Sequence, residues 1–521
     1  MNPLVVATSL TIIVGSVYHL YRRWTVRFNR YPLPPGPKPL FLVGNLFDII
    51  TKSPWLYFTD LKKEYVGDLI YLEAFGQKVL VLNSLRAAQE LLEKRATVYS
   101  HRPSFTMIGE LIGLNNSLPM LPYGPEFKRQ RTLCHSGLSP TAVKKYHSIQ
   151  ETAIASYALK LCEDPSQFLS ELRMTAGRIV LSVTYGFPVQ SIDSIYLDES
   201  EATMDMIEKG TVIGAFAVDI IPALKYLPSW VPFNNIHKTA ESGRNLLFGM
   251  VDRPYRHVKQ ALEAGAALPS FAADCLMRVD DTKLLDAGID DSIRWAAGSM
   301  YGAGGETSFA TIMTFIYAMA LYPNVQAKIH KEIEEVVGMS RLPNLGDKDR
   351  LPYVQAAIKE TMRWKPALPM SIPRMTTEND HYNGYHIPAG TVVIPNVWAM
   401  SRDEETGIPS SIFAPERFMG LKNGESSPVD PTAYAFGFGR RACPGKYLGE
   451  NNIFLFVTYI VSAVSISRLR DERGNYLPLD PPYTTGLVSY PEPFLVNFSP
   501  RNKERVAQLI SKCNKEGEEA K

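Results

Sequence analysis

A mainly α fold with a minor β-sheet is predicted for this 521-residue chain, and three observations predict it. From about residue 125 to 335 apolar residues recur at helical spacing, broken by a Pro-rich stretch at Ile221–Pro232. Strand-type patterns are short, near residues 69–83, 367–400 and the tail. No repeat, low-complexity block or long Gly/Ser linker divides the chain, so one large domain over residues 40–521 is expected.

The chain opens on Pro3–Tyr21, PLVVATSLTIIVGSVYHLY, about long enough to cross a bilayer as a helix. Arg22, Arg23, Arg27 and Arg30 follow, which predicts that the rest of the chain faces the cytosol. A cleaved signal peptide would carry its charge before the apolar run and small residues after it; here the charge lies after, in YHLYRRW. Residues 1–21 are therefore expected to be an uncleaved, single-pass transmembrane anchor, and residues 22–39 a basic, Pro-rich hinge. Within it, Tyr31–Pro39 is stiffened by proline, which fixes φ and removes donors.

Helices are expected at about 55–65 and 84–95, flanking a hairpin in LIYLEAFGQKVLVLN with its turn at Gly76-Gln77. A long apolar helix runs from about Ile289 to Tyr322, and a shorter one from Leu351 to Trp364. Asn383-Gly384 is a strong hairpin turn signal. A further apolar helix spans Tyr447 to about Val464, and the tail Leu477–Phe498 reads as strands.

The 55 basic and 53 acidic residues leave a net charge of +2, which gives no reason to expect nucleic acid. The five cysteines (Cys134, Cys162, Cys275, Cys443, Cys513) are few, odd in number and far apart. No CxxC pair exists, so neither a disulfide framework nor a structural zinc site is predicted.

One cysteine stands apart. Phe436-Gly-Phe-Gly-Arg-Arg-Ala-Cys443-Pro-Gly445 has the form F-x-x-G-x-R-x-C-x-G, and each element suits a metal thiolate. Gly437 and Gly439 permit tight turns that aim backbone N–H groups at the sulfur. Phe436 can shield the site from water, and Arg441 can pair with an anionic cofactor group. Pro444 suits a first helical turn, and Gly445 lets that helix pass close to a flat macrocycle. A dinucleotide loop competes, because Gly437–Ala442 fits G-x-G-x-x-A. That motif needs a preceding strand and an acid about 20 residues on; PVDPTAYA is a poor strand, and no acid lies between Glu450 and Asp471.

On this signature the chain resembles the cytochrome P450 family, from the PPGP hinge to the last strands. The resemblance implies the cytochrome P450 fold as a single haem domain, with haem b (iron protoporphyrin IX) bound through its iron to Cys443. Glu360-Thr-Met-Arg363 resembles the family's E-x-x-R motif; on its own it would be a surface pair worth under about 1 kcal/mol. Completed by Arg417 of Pro415-Glu-Arg417-Phe418, it implies a structural cluster. Ala303-Gly-Gly-Glu-Thr-Ser308 resembles the oxygen-side helix. Ala303 and Gly304 would leave room for O2 and substrate, Glu306 would relay protons, and Thr307 would hydrogen-bond the bound oxygen. Arg131 and Arg374 are implied propionate contacts. Phe127 replaces the family's Trp and loses its N–H donor. His101 is read as structural.

The resemblance further implies a monooxygenase that inserts one atom of O2 into an apolar molecule. Its electrons would come from NADPH through NADPH–cytochrome P450 reductase, with cytochrome b5 as a second donor. Lys128, Arg129, Arg440 and Lys446 could form the docking patch. The overall look resembles fungal members of the endoplasmic reticulum membrane that tailor secondary metabolites, so a terpenoid or similar scaffold is expected. By position the pocket should draw on 104–121, Phe216–Ile221, Met300–Ala303, Ala367–Ile372 and Thr485–Val488. Apolar Ile108, Leu111, Ile112, Leu114, Phe216, Leu368, Met370 and Leu487 would line it. A haem-thiolate isomerase or dehydratase needing no external electrons, and a non-enzymatic haem protein, are the alternatives; the Glu306-Thr307 pair favours the monooxygenase.

Overall fold

The computed structural model describes residues 31–188, 194–211, 214–228, 230–231, 235–282, 288–402, 407–419 and 428–519. The expected anchor and Arg22, Arg23, Arg27 and Arg30 lie outside the described residues.

The main elements begin with α1 (Pro54–Glu64), β1 (Leu69–Ala74) and β2 (Gln77–Leu82). Then come α2 (Pro125–Leu138), α3 (His147–Glu163), α4 (Phe168–Tyr185), α5 (Ser194–Gly210), α6 (Ile236–Glu263), α7 (Phe271–Thr282), α8 (Ile289–Leu321), α9 (Pro323–Val337) and α10 (Pro352–Trp364). Four short strands follow: β3 (Arg374–Met375), β4 (Asp380–Tyr382), β5 (Tyr385–Ile387) and β6 (Val392–Pro395). The chain ends with α11 (Lys446–Ala463), β7 (Val464–Ser467), β8 (Asn497–Pro500) and α12 (Lys503–Glu519). The mainly α class with a minor sheet is thus what the chain adopts.

The helical core centres on α8. Beyond its charged first turns this 33-residue helix is apolar on nearly every side, Glu306 excepted, and a helix of that kind belongs inside a protein. It packs on α4, α2, α6 and α11. Gly298 and Gly304 set two of these approaches, while Gly305 meets α4 at ordinary contact distance. A Cβ at Gly298 would meet the Val251 side chain at 2.8 Å, one at Gly304 would meet Val180 at 2.8 Å, and one at Gly305 would lie 3.8 Å from Gly177. The glycines of the AGGET segment therefore serve helix packing as well as the space beside Ala303. Among the described residues no single helix is long and apolar enough to cross a membrane; α8 and α9 together are, but they bend by 108°.

The four-stranded sheet has the order β1-β2-β6-β3, with β2 and β6 parallel and the other pairs antiparallel. Alternation sends Leu69, Leu80, Leu82 and Val393 to one face, packed with Tyr434 and Phe438. Ile70, Leu72, Val79, Val81 and Ile394 point to the other, against Phe58 and Leu61 of α1. Both faces are buried, so the sheet ties the N-terminal region to the Phe438 loop. The β1–β2 turn is Phe75-Gly76, both at positive φ, one residue earlier than expected. Asn383-Gly384 joins β4 to β5 as predicted, at φ 50 and 79.

The Pro-rich segment lies against this region. Tyr71 donates its backbone N–H to Pro35 O at 2.8 Å and His386 to Pro32 O at 2.7 Å. A Cβ at Gly36 would be 2.0 Å from Tyr71 O, so only glycine allows the approach.

The tail departs from the strand expectation. Within Leu477–Phe498 only Asn497 and Phe498 join a strand, because Pro478, Pro481, Pro482, Pro491 and Pro493 remove ladder donors. Thr484 N–H to Tyr490 O closes a loop whose tip is 485–489. Strand β7 and helix α12 were not anticipated.

Candidate active site

Buried charge organises the region below α8. Glu360, on α10, is wholly buried and accepts from Arg363 Nε at 2.7 Å and Nη2 at 2.9 Å. Arg417 Nε lies 3.3 Å from the same carboxylate. The remaining donors of the two arginines go to carbonyls of Ser401, Ile408, Pro409, Ser410 and Ile412. Glu360, Arg363 and Arg417 thus come together as one buried cluster, not as a surface pair. The E-x-x-R spacing puts both side chains on one helix face, and the 408–418 segment covers that face.

The Cys443 loop follows. Gly437 and Gly439 both have positive φ, at 72 and 49. A Cβ at Gly439 would lie 2.6 Å from Leu92 O, so that glycine also lets the loop touch the Glu90–Lys94 turn. Cys443 N–H donates to Phe436 O at 2.7 Å. The N–H aimed at the sulfur belongs to Gly445, which also caps α11. Helix α11 starts at Lys446, two residues after Pro444. Burial pushes the Cys443 thiol up, and the Gly445 N–H, Arg131 and Lys446 pull against it.

Cys443 nevertheless keeps much of its surface open, and that surface faces a cavity of about 670 Å³. Phe436, Gly437 and Gly445 line the cavity with it. Facing them, α8 contributes Met300, Ala303, Gly304, Glu306 and Thr307. Ala303 is open on this side although it sits mid-helix in the core. The Thr307 hydroxyl donates to Ala303 O at 3.2 Å. Glu306 accepts from Arg173 of α4 at 3.1 Å, and its Oε1 is buried without a partner. Burial raises the Glu306 carboxyl, while Arg173 opposes the shift.

Four guanidiniums line the same cavity: Arg102, Arg131, Arg374 and Arg441. None has a carboxylate at ion-pair distance among the described residues. Arg441 donates to Ser100 O at 2.9 Å and Leu121 O at 2.6 Å. Arg374 donates to Phe438 O at 2.6 Å and Leu92 O at 3.3 Å. Arg131 donates to Ala442 O, and Arg102 to Pro119 O and Ile372 O, both at 2.7 Å. Burial lowers all four, Arg374 to about 10 and Arg441 to about 9. Buried cations held only by carbonyl dipoles fit a ligand that brings its own anions. A soft thiol on one wall, cationic groups at hand and an apolar remainder together match iron protoporphyrin with its two carboxylates.

Arg102 was missed in the sequence. Its neighbour His101 drew attention, yet His101 contributes backbone, accepting from Met375 N at 2.9 Å, while Arg102 reaches the cavity. Phe127 is buried, and the Arg441 guanidinium lies 3.8 Å over its ring.

The cavity draws on Phe105, Leu114 and 117–120, on Ala367, Leu368 and 370–372, and on Thr485–Val488, as expected. The stretch Phe216–Ile221 is a correction: the roof is instead Met204, Ile207 and Thr211 of the α5 region with Leu247, Met250 and Val251 of α6. Phe216 and Ile108 pack on Gly210, and Ile112 on Gly243, which turns them away from the cavity; Leu111 is not among its walls either.

Comparison with known proteins agrees with this site. The family model described as Cytochrome P450 matches residues 34–498. Cytochrome P450 monooxygenase 105 of Postia placenta is 37% identical over 516 residues, covering 98% of each chain. Cytochrome P450 monooxygenase claR of Ampulloclitocybe clavipes is 36% identical over 512 residues, 96% of this chain and 93% of the relative. Cytochrome P450 monooxygenase COX2 of Coprinopsis cinerea is 37% identical over 472 residues, 90% and 89% of the two chains. With the Cys443 loop, the buried Glu360 cluster and these matches in hand, the chain belongs to the cytochrome P450 family and is a haem-thiolate monooxygenase.

Proposed function

We propose that this chain oxidises an apolar small molecule, a fungal secondary metabolite such as a terpenoid, with electrons from NADPH delivered by NADPH–cytochrome P450 reductase and by cytochrome b5. The observation that carries the reading is the Cys443 thiol facing Ala303 and Thr307 across a mostly apolar cavity. Cys443 would hold the haem iron, and Arg102, Arg131, Arg374 and Arg441 its carboxylates. When bound, the haem iron activates O2 so that one oxygen atom enters a C–H bond and the other leaves as water. Leu114, Leu368, Met370 and Leu487 orient the substrate by shape and exclude water. The Thr307 hydroxyl, freed from Ala303 O, offers a hydrogen bond inside the cavity, and Glu306 moves protons toward it. That these two side chains sit side by side on the cavity wall supports oxygenation over isomerisation.

Lys128 and Arg440 are exposed and gather around Tyr123 on the outer side of the cysteine loop, a surface suited to an acidic electron donor. Phe41 (78% exposed), Phe47 (70%), Tyr226 (78%) and Trp230 (80%) offer apolar side chains to solvent, which supports an endoplasmic reticulum membrane location with residues 1–21 as its single-pass anchor.

The test is the carbon monoxide difference spectrum of the reduced protein in microsomes beside a Cys443→Ser control. A red-shifted thiolate band that vanishes in the variant is expected. A histidine-type band, or well-folded protein that takes up no haem, overturns the assignment of Cys443. With the band in place, turnover of apolar terpenoids by added reductase and NADPH tests the substrate class.

A further inference from the structure

A second carboxyl group stands close behind the cavity wall. Glu208 lies on α5, next to the cavity-lining Ile207, and packs against Gly486 of the 485–489 loop. A Cβ at Gly486 would lie 2.2 Å from Glu208 Oε1, so the carboxyl occupies the space that a side chain at 486 would take. The Val488 N–H donates to this carboxyl, yet Oε1 is buried with no partner. Glu306 is in the same position across the patch, with its own Oε1 buried and unpartnered.

Arg173 pairs with Glu306 and acts on Glu208 through its charge. Its Nη1 lies 3.1 Å from Glu306 and 3.5 Å from Glu201, and its Nη2 lies 3.3 Å from the Tyr490 hydroxyl. Tyr490 in turn hydrogen-bonds Glu306. The Glu201 side chain is 61% exposed and the Glu306 side chain 11%, so the series leads from solvent to the cavity wall. One guanidinium therefore pairs with two carboxyl groups and acts on a third, Glu208, through its charge alone, with Asp205 nearby as a further acid. Three carboxylates and one guanidinium would leave an excess of two negative charges in a half-buried cluster. Like charges at such distances are relieved by protonating one of them.

We propose that Glu208 and Glu306 share one proton across the Arg173–Tyr490 bridge, which makes Glu208 a positioning residue that holds the proton Glu306 draws on. The transfer is balanced: the Glu208 carboxyl loses the proton, the Glu306 carboxylate gains it, and the charge of the cluster is unchanged. Reprotonation comes from solvent at the Glu201 end. Burial, Glu306 and Asp205 raise the Glu208 carboxyl to about 7, against the Val488 N–H and Arg173. Tyr490 feels both carboxyl groups. The proposal rests on the reading of Glu306 as the proton carrier, but its first test does not depend on turnover.

That test is infrared titration of the purified membrane-bound holoprotein between pH 5 and 9. A carboxylic acid C=O band titrating near pH 7 is expected. It should disappear in Glu208→Gln, persist shifted in Glu208→Asp, and titrate at lower pH in Glu306→Gln, where the repulsion is gone. Absence of the band, or a midpoint indifferent to Glu306→Gln, overturns the shared proton. The second readout is the fraction of NADPH consumption coupled to product. In the natural protein coupling should fall as pH rises through about 7; Glu208→Gln should lower it severalfold and flatten the pH profile, and Glu208→Asp should restore part of both. A pH profile unmoved by Glu208→Gln, despite the infrared band, overturns the supply role.

Discussion

Two groups of buried and half-buried arginines differ in their counter-charge and in where they stand. Arg363 and Arg417 share the Glu360 carboxylate, and their other donors end on loop carbonyls. Arg102, Arg131, Arg374 and Arg441 line the cavity and have carbonyls, with the Phe127 ring beneath Arg441, but no carboxylate among the described residues. The first group is electrically closed and holds the 408–418 segment to α10. The second is open, with its charge directed toward a ligand. Arg402 shows that burial without an acid is not sufficient. It too is lowered, to about 9, but its guanidinium lies 3.2 Å over the Trp398 ring, away from the cavity. What marks the haem-binding cations is the absence of an acid together with a place on the wall of the Cys443 cavity; Arg402 lines a separate, open groove beside Trp398.

The largest effect is expected where the closed group is broken. Glu360→Gln leaves two desolvated guanidiniums facing a neutral amide, and breaking a buried charge cluster costs roughly 3–5 kcal/mol. Chemical denaturation of the variant should show a loss of that size. A loss below about 1 kcal/mol would mean that the loop carbonyls alone carry the two charges, and the contrast between the groups would fail.

The open group should respond in the opposite sense. Arg374→Leu or Arg441→Leu removes a cation whose burial is uncompensated within the chain, so the haem-free protein should be as stable as before or more so. Haem retention should fall, because a charge-assisted hydrogen bond is worth about 1.5–3 kcal/mol, or on the order of 10–100-fold in affinity. Haem content per folded protein and thermal unfolding of the haem-free chain separate the two effects. Destabilisation of the haem-free chain on the scale of Glu360→Gln would make these arginines structural after all.

How far each group could be read in the sequence follows from the same contrast. Cys443 with Arg441, and Glu360 with Arg363, sit in tight local motifs, whereas Arg417 lies 57 residues from Glu360 and is placed in the cluster by the resemblance rather than by spacing. Helix α8 was legible because a 33-residue run with charges only at Asp290, Asp291, Arg294 and Glu306 is otherwise apolar and belongs in a core. Arg102 was not legible: it is one residue in an irregular segment, and only the fold carries it to Arg374 and Arg441. The misplacement of Phe216 and Ile108 has a similar cause, since Gly210 draws both rearward and no periodicity encodes that packing. In the tail, where strands are expected, five prolines remove ladder donors and leave only its last two residues in a strand.

Phe127 permits the finest test of the open group. A phenyl ring at this position cannot donate a hydrogen bond, but it lies 3.8 Å beneath the Arg441 guanidinium, where its negative face holds the charge in place. Phe127→Leu keeps the volume roughly constant and removes the ring. A cation–π contact in a partly desolvated site is worth about 0.5–2 kcal/mol, so haem retention should fall by roughly 2–30-fold. The decisive measurement is the double-mutant cycle with Arg441→Leu. If Phe127 acts through Arg441, its replacement should cost little once Arg441 is gone. A full loss in the Arg441→Leu background would show instead that the ring packs on the cofactor directly, and the cation at 441 would be indifferent to what lies beneath it.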